Sequence, residues 1–177
     1  MVLQVARALE VAHEHGIVHR NITPRNVLMR ASDGLVKLGD LMLAKSLEGS
    51  QADVITRPGE LVGQLLYMSP EQTSRETIVD HRSDIYNLGA MAYALLTGHP
   101  PFEGHSPLEI IMKIQRDPPP MPTKFHLSIP PLFEGVVLQM LAKRPDDRYR
   151  TPTHLITDLQ RVAKYVGAEE LLTTPGA

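Results

Sequence analysis

The chain reads as a mainly α fold of the α+β kind: a helical bundle around one central buried helix, with a single small β-hairpin near its start. Three observations predict this. Apolar residues recur at helical spacing in five separate stretches. Only one place, around Ala31-Ser32-Asp33-Gly34, shows two short apolar runs joined by an Asp-Gly turn. The stretch Ile85–Leu96 is apolar nearly all round, as a helix in the middle of a bundle must be.

Val2, Val5, Ala6, Leu9 and Ala12 form the first helical stripe, and His13-Glu14-His15-Gly16 ends it with imidazoles in the last turn and a glycine stop. The hairpin pairs Val27–Arg30 with Leu35–Leu38. Residues 43–68 lack clean periodicity and contain Gly49, Pro58, Gly59 and Gly63, so a long surface loop is expected there. Ile85, Leu88, Met91, Ala92 and Leu95 make the central stripe, with Ala90, Ala94 and Leu96 widening it to near-total burial. Pro107 opens a helix over Leu108–Arg116, which the run Asp117-Pro118-Pro119-Pro120-Met121-Pro122 stops. Phe133, Val136, Val137, Met140 and Leu141 mark another. Thr151 with Pro152 starts a last helix with stripe Leu155, Leu159, Val162 and Val166, and the tail after Gly167 is expected to fray. One domain over 1–166 with a tail over 167–177 is the organisation expected.

At 177 residues, 42% of them apolar, the chain has enough material for a real core. A net charge of −2 and the absence of any Lys/Arg run argue against nucleic acid as a partner. The longest apolar run, Leu88–Leu96, is far short of the ~20 residues that span a bilayer, and the N-terminus lacks signal-peptide order. With no cysteine, disulfides and thiolate metal sites are excluded and a reducing compartment is compatible. The expectation is a cytoplasmic protein with no membrane partner.

The residues with chemical content lie in two loops: His19-Arg20-Asn21-Ile22-Thr23-Pro24-Arg25-Asn26 and, after the hairpin, Gly39-Asp40-Leu41-Met42. Further on stand Gly63-Gln64-Leu65-Leu66-Tyr67-Met68-Ser69-Pro70-Glu71, then Ser83-Asp84-Ile85-Tyr86-Asn87-Leu88-Gly89, and finally Arg148. In order and spacing over about 150 residues these resemble the protein kinase family. They match its catalytic loop His-Arg-Asp-x-Lys-Pro-x-Asn, its metal loop Asp-Phe-Gly, its Ala-Pro-Glu and its Asp-x-Trp-Ser-x-Gly. Punctuation such as Leu96-Thr97-Gly98-His99-Pro100-Pro101-Phe102 most resembles the eukaryotic-like serine/threonine kinases of bacteria.

The resemblance implies the larger, helical lobe of a kinase, with the small lobe absent: no glycine-rich strand turn, strand lysine or partner glutamate is found in the chain. It also implies altered chemistry, with no catalytic residue intact. Asn21 stands at the base position and keeps the shape of the aspartate without its basicity. Loss of a general base costs on the order of 10²- to 10⁴-fold in rate. Thr23 stands at the position of the lysine that brings an ammonium to the transferring phosphate. Gln64 stands where the family's activation-segment threonine contacts both. Asn26 and Asp40 match the two side-chain ligands of magnesium, the alternative being that Asn26 ties the loop by hydrogen bonds and Asp40 caps a turn. Met42 replaces a loop glycine, and Leu41 packs in place of the phenylalanine. Leu28 matches the residue under the adenine ring, or else is an ordinary strand core residue.

Structural roles follow from the same resemblance. His19 packs in the core and bonds backbone near Asp40, Arg20 is the one matched receptor for a phosphate on hydroxyls such as Thr56 or Ser69, and Asp84 anchors the catalytic-loop backbone or caps the central helix. Glu71 and Arg148 form an ion pair clamping the loop end to the last helices, or are two solvated charges. A zinc cluster of His13, His15 and His19 is disfavoured, because His13 and His15 point to different helix faces, and solvation of the helix end is expected instead. No cofactor is expected for the chain alone, and ATP with magnesium if a small lobe is supplied. The functional reading is a pseudokinase acting as a protein-interaction or regulatory module. It would bind a protein partner, or itself, through the face at Val27, Leu28, Met29 and Leu41 that a small lobe would cover. The alternatives are an ATP-binding serine/threonine kinase whose small lobe lies upstream or on another chain, and a decayed gene product.

Overall fold

A computed structural model describes residues 1–40, 63–74 and 78–172, and among the described residues four long helices pack around a buried central one. Helix α1 runs Val2–Glu14 and buries Val5, Ala6 and Leu9. Strands β1 (Val27–Met29) and β2 (Val36–Leu38) pair antiparallel, with Val27 opposite Leu38 and Met29 opposite Val36. The turn closes through Arg30 N–H to the Leu35 carbonyl at 2.8 Å, and Gly34 takes the φ of +70° that the turn requires. The Val36 N–H donates to Gln4 Oε1 at 2.7 Å, which ties the hairpin to α1.

Helix α2 (Arg82–Thr97) is the central one: every residue from Ser83 to Tyr93 is buried. It ends on Gly98 in the left-handed conformation, φ +79°. Helices α3 (Pro107–Arg116), α4 (Pro131–Met140) and α5 (Pro152–Tyr165) follow, the first capped by the Ser106 hydroxyl, which accepts from the Glu109 N–H at 3.2 Å. α2 and α4 approach so closely at Gly89 that a Cβ there would lie 2.6 Å from Met140 Cβ. The main core gathers α1, α2, α4 and α5 through Leu9, Ile85, Leu88, Met91, Met140, Leu155 and Leu159.

Several expectations are corrected. Leu95 is 53% exposed, although Leu96 packs on the core and Thr97 of the same last turn is buried. Residues 63–65 form a helical turn, and Leu65 packs with Phe102, Ile110 and Ile114, so this end of the expected surface loop belongs to the core. Residues 43–62 of that loop lie outside the described residues. Thr151 precedes α5 as expected, yet its hydroxyl bonds His154 Nδ1 at 2.9 Å and caps no backbone N–H. Val166 is exposed beyond the end of α5, and Ile156 and Ala163 bury in its place. The expected frayed tail instead makes a 3₁₀ turn over Glu169–Leu172, where the Leu172 carbonyl accepts from Arg7 Nη2 at 3.1 Å. Residues 173–177 lie outside the described residues. None of the described helices is long and apolar enough to cross a membrane.

Candidate functional site

The loop leaving α1 is held by one carboxylate from the central helix. Asp84, fully buried in the first turn of α2, accepts from His19 N–H at 2.8 Å and from Arg20 N–H at 2.7 Å. It also accepts from His13 Nε2 at 2.8 Å. Asp84 therefore anchors the loop backbone, and His81 occupies the N-cap of α2 without a side-chain cap bond. His13 is a partner of Asp84 with its side chain only 9% exposed, which corrects the expected helix-end solvation. His15 is exposed and bonds the Val11 carbonyl. Among the described residues no group of three His, Cys, Asp or Glu is placed to hold a metal ion.

His19 is buried, and its Nε2 lies 2.8 Å from the Gly39 carbonyl oxygen. That oxygen only accepts, so Nε2 carries the proton and Nδ1 is left to accept the Asn21 N–H at 3.3 Å. His19 thus links the first loop to the second. Arg20 sits at φ +63°, a conformation non-glycine residues avoid, and both of its backbone groups are held. Its N–H goes to Asp84, and its carbonyl accepts from Gln72 Nε2 at 2.6 Å. The strain is thereby locked by long-range bonds.

Gln72 was not singled out by sequence reasoning, yet it joins three segments. Besides Arg20, its Oε1 accepts from Ser69 N–H at 2.9 Å and from Asn87 Nδ2 at 2.8 Å, while Asn87 Nδ2 also reaches the Tyr67 carbonyl at 2.7 Å. No local pattern announces such partners, which lie 15 and 52 residues from Gln72.

The altered positions fall together. Thr23 is buried, and with Pro24, Gln64, Leu66 and Tyr67 it surrounds a cavity of about 270 Å³. Burial raises the Tyr67 phenol above its ordinary range. Asn21 is half-buried at the start of the same loop, its carbonyl accepting from Asn26 Nδ2 at 2.8 Å. Because Asn26 spends its amide N–H on the loop, its Oδ1 remains as an oxygen donor. Asp40, exposed and at φ +66°, supplies a carboxylate after β2. Amide and carboxylate oxygens are the donors magnesium takes, so this pair fits such an ion in kind. Leu28 is 62% exposed, not a strand core residue, and Met29 beside it is 58% exposed. Leu41, Met42 and Thr56 lie outside the described residues.

Away from these loops, Glu71 and Arg148 form a buried bidentate pair, Arg148 Nη1 at 2.6 Å and Nη2 at 2.8 Å from the two carboxylate oxygens. Ser83 Oγ donates to the same carboxylate at 2.6 Å. The three remaining guanidinium N–H groups go to the carbonyls of Ala142, Arg82 and Lys143, so all five donors are used. Burial pulls the Glu71 carboxyl up, but the Arg148 bonds and charge and the Ser83 hydroxyl more than offset this, leaving it below its ordinary value.

Comparison with known proteins gives a consistent result. The protein kinase domain model matches residues 1–159. The chain is 38% identical over 162 residues to the serine/threonine-protein kinase PknB of Mycolicibacterium smegmatis, covering 92% of this chain and 25% of that protein. It is 35% identical over 162 residues to a probable serine/threonine-protein kinase of Clostridium perfringens, covering 92% of this chain and 23% of that protein. Against a probable serine/threonine-protein kinase of Streptomyces coelicolor the identity is 38% over 160 residues, covering 90% of this chain and 23% of the other. The chain spans about a quarter of the length of the curated relatives it matches.

Proposed function

Since this chain belongs to the protein kinase family, we propose that it is a serine/threonine-kinase-like module working as a pseudokinase, through binding and not through phosphoryl transfer. One observation carries the reading: Asn21, Thr23 and Gln64 replace base, lysine and threonine inside a loop framework whose supports are otherwise complete. An amide at the base position accepts no proton from a substrate hydroxyl, and a buried threonine brings no positive charge to a transferring phosphate. The same reading places it in the cytoplasm, in keeping with a cysteine-free chain.

The binding face we propose is the one carrying Leu28, a large apolar side chain 62% exposed on the side of β1 that it shares with Lys37, with Met29 exposed at the strand's end on the other side. Its occupant is a second protein surface, from a partner or from another copy of this chain. Leu28→Glu is expected to weaken that association without unfolding the domain, as read by sedimentation and by thermal melting.

A second reading, a nucleotide-using kinase completed by a small lobe, draws on the Asn26 Oδ1 and the Asp40 carboxylate and on the names of the relatives. In that reading Asn26 and Asp40 hold magnesium, which neutralises phosphate charge when bound. Incubating the chain with labelled ATP, magnesium and a generic protein substrate separates the two. No transfer above the Asp40→Ala level is expected, and transfer that Asp40→Ala abolishes would overturn the pseudokinase reading.

A further inference from the structure

Where α1 runs through Ile17 and Val18 into the first loop lies a cavity of about 360 Å³, bounded also by His81 and the start of α5. Its polar groups share one character. His13 Nε2 faces the Asp84 carboxylate and His81 Nε2 lies 3.0 Å from the Arg150 carbonyl. Both oxygens only accept, so in each neutral ring Nε2 carries the proton and Nδ1 is left with a lone pair. The Nδ1 of His13 is buried with no hydrogen-bond partner among the described residues, and its ring lines the cavity. A buried acceptor without a donor is costly, which marks the place where a ligand's N–H is wanted.

The rest of the lining agrees. Glu10 and Glu14 bring two carboxylates from the same face of α1, and Glu10 has already taken the Thr153 hydroxyl on Oε1 at 2.7 Å, leaving Oε2. No lysine or arginine among the described residues lines the cavity, and Ile17, Val18 and Pro152 supply apolar wall. Acceptors and negative charge over an apolar wall select a ligand with a cationic N–H head on an alkyl stem. We propose that this cavity binds an alkylammonium group, with His13 Nδ1 and the Glu10 and Glu14 carboxylates accepting its N–H bonds. The bound ammonium polarises His13 and tightens its bond to Asp84, so occupancy reaches the Arg20 amide that the same carboxylate holds.

The test is a titration of the full chain with n-butylammonium chloride, followed by amide NMR, with n-butanol as the uncharged control. Shifts at Glu14, Ile17 and His81, accompanied by His19 and Arg20, are expected for the amine and not for the alcohol. The double variant Glu10→Gln/Glu14→Gln, verified as folded by its melting curve, is expected to weaken binding by at least about fivefold. Equal response to the alcohol, no response to the amine, or an affinity untouched by the double variant would overturn the proposal. Putrescine and a peptide acetylated only at its N-terminus and carrying one free lysine side chain, titrated in parallel, distinguish a free amine from a protein side chain as the source: the tighter binder identifies it.

Discussion

Glu71–Arg148 and the Asn21–Thr23–Gln64 positions make an instructive comparison, because the first is a closed polar cluster in the core and two of the second border a cavity. In the clamp every donor of Arg148 has an acceptor and the carboxylate has three donors. At the second, Thr23 and Gln64 border a cavity of about 270 Å³, with Asn21 two residues before Thr23. A polar network that is satisfied inside the protein contributes to the fold, whereas side chains bordering a cavity are less constrained by packing. The clamp keeps the residues that packing demands, and in the reading proposed above the second group keeps backbone shape while its reactive functions are replaced.

The largest effect should come from opening the clamp. Glu71→Gln or Arg148→Met strands one member of a buried pair, and a loss of about 3–5 kcal/mol is expected in denaturant unfolding. Losses under about 0.5 kcal/mol in both would place the pair among surface charges. The pH dependence has a definite sign. A carboxyl held below its ordinary value when folded stabilises the protein above its unfolded pKa, and that contribution is lost as pH falls through the folded one. Glu71→Gln should therefore narrow the gap from wild type on acidification below about 4.3.

Next comes the anchor between the two regions. Asp84→Asn removes the charge from a carboxylate that serves His13, His19 and Arg20, and should cost about 1.5–3 kcal/mol. Amide exchange at His19 and Arg20 should quicken beyond what the global loss explains. Uniform acceleration across all amides would show that Asp84 supports the fold and not the loop in particular.

Gly89→Ala probes packing alone. A Cβ 2.6 Å from Met140 Cβ forces α2 and α4 apart, for an expected loss of about 1–3 kcal/mol. Gly135→Ala in the neighbouring helix, where a Cβ meets nothing within 4 Å, is the matched control and should be neutral or stabilising.

What could be read from the sequence divides along the same line. The helices were legible because apolar period and Pro/Gly punctuation are local, and so was the hairpin with its Asp-Gly turn. The ends of burial were not: Leu95 continues the apolar stripe of α2 yet is exposed, while Leu96 and Thr97 of the same turn pack inward. The Glu71–Arg148 pairing was reachable only through family resemblance, its partners being 77 residues apart. Gln72 and the His13–Asp84 bond were missed altogether, because a hydrogen bond over 52 or 71 residues leaves no periodic trace. The replaced residues of the site were legible at once, since a motif is defined by residue identity. The cavity uniting Thr23 with Gln64 required the fold.

The smallest effect expected is also the sharpest test of the comparison. If the altered group is open because it serves binding and not folding, then Asn21→Asp with Thr23→Lys should leave stability within about 0.5 kcal/mol of wild type. Asn21 is only half-buried, so a carboxylate there keeps access to water. Thr23 borders the cavity, which gives a longer side chain room to extend toward solvent with its ammonium, as long cationic side chains do. Denaturant midpoints of the double variant and of each single variant measure this directly. A loss of more than about 2 kcal/mol in Thr23→Lys alone would mean that the threonine is a packing residue after all. In that case its presence reports a stability constraint, and the contrast between a closed clamp and an open site fails at this position.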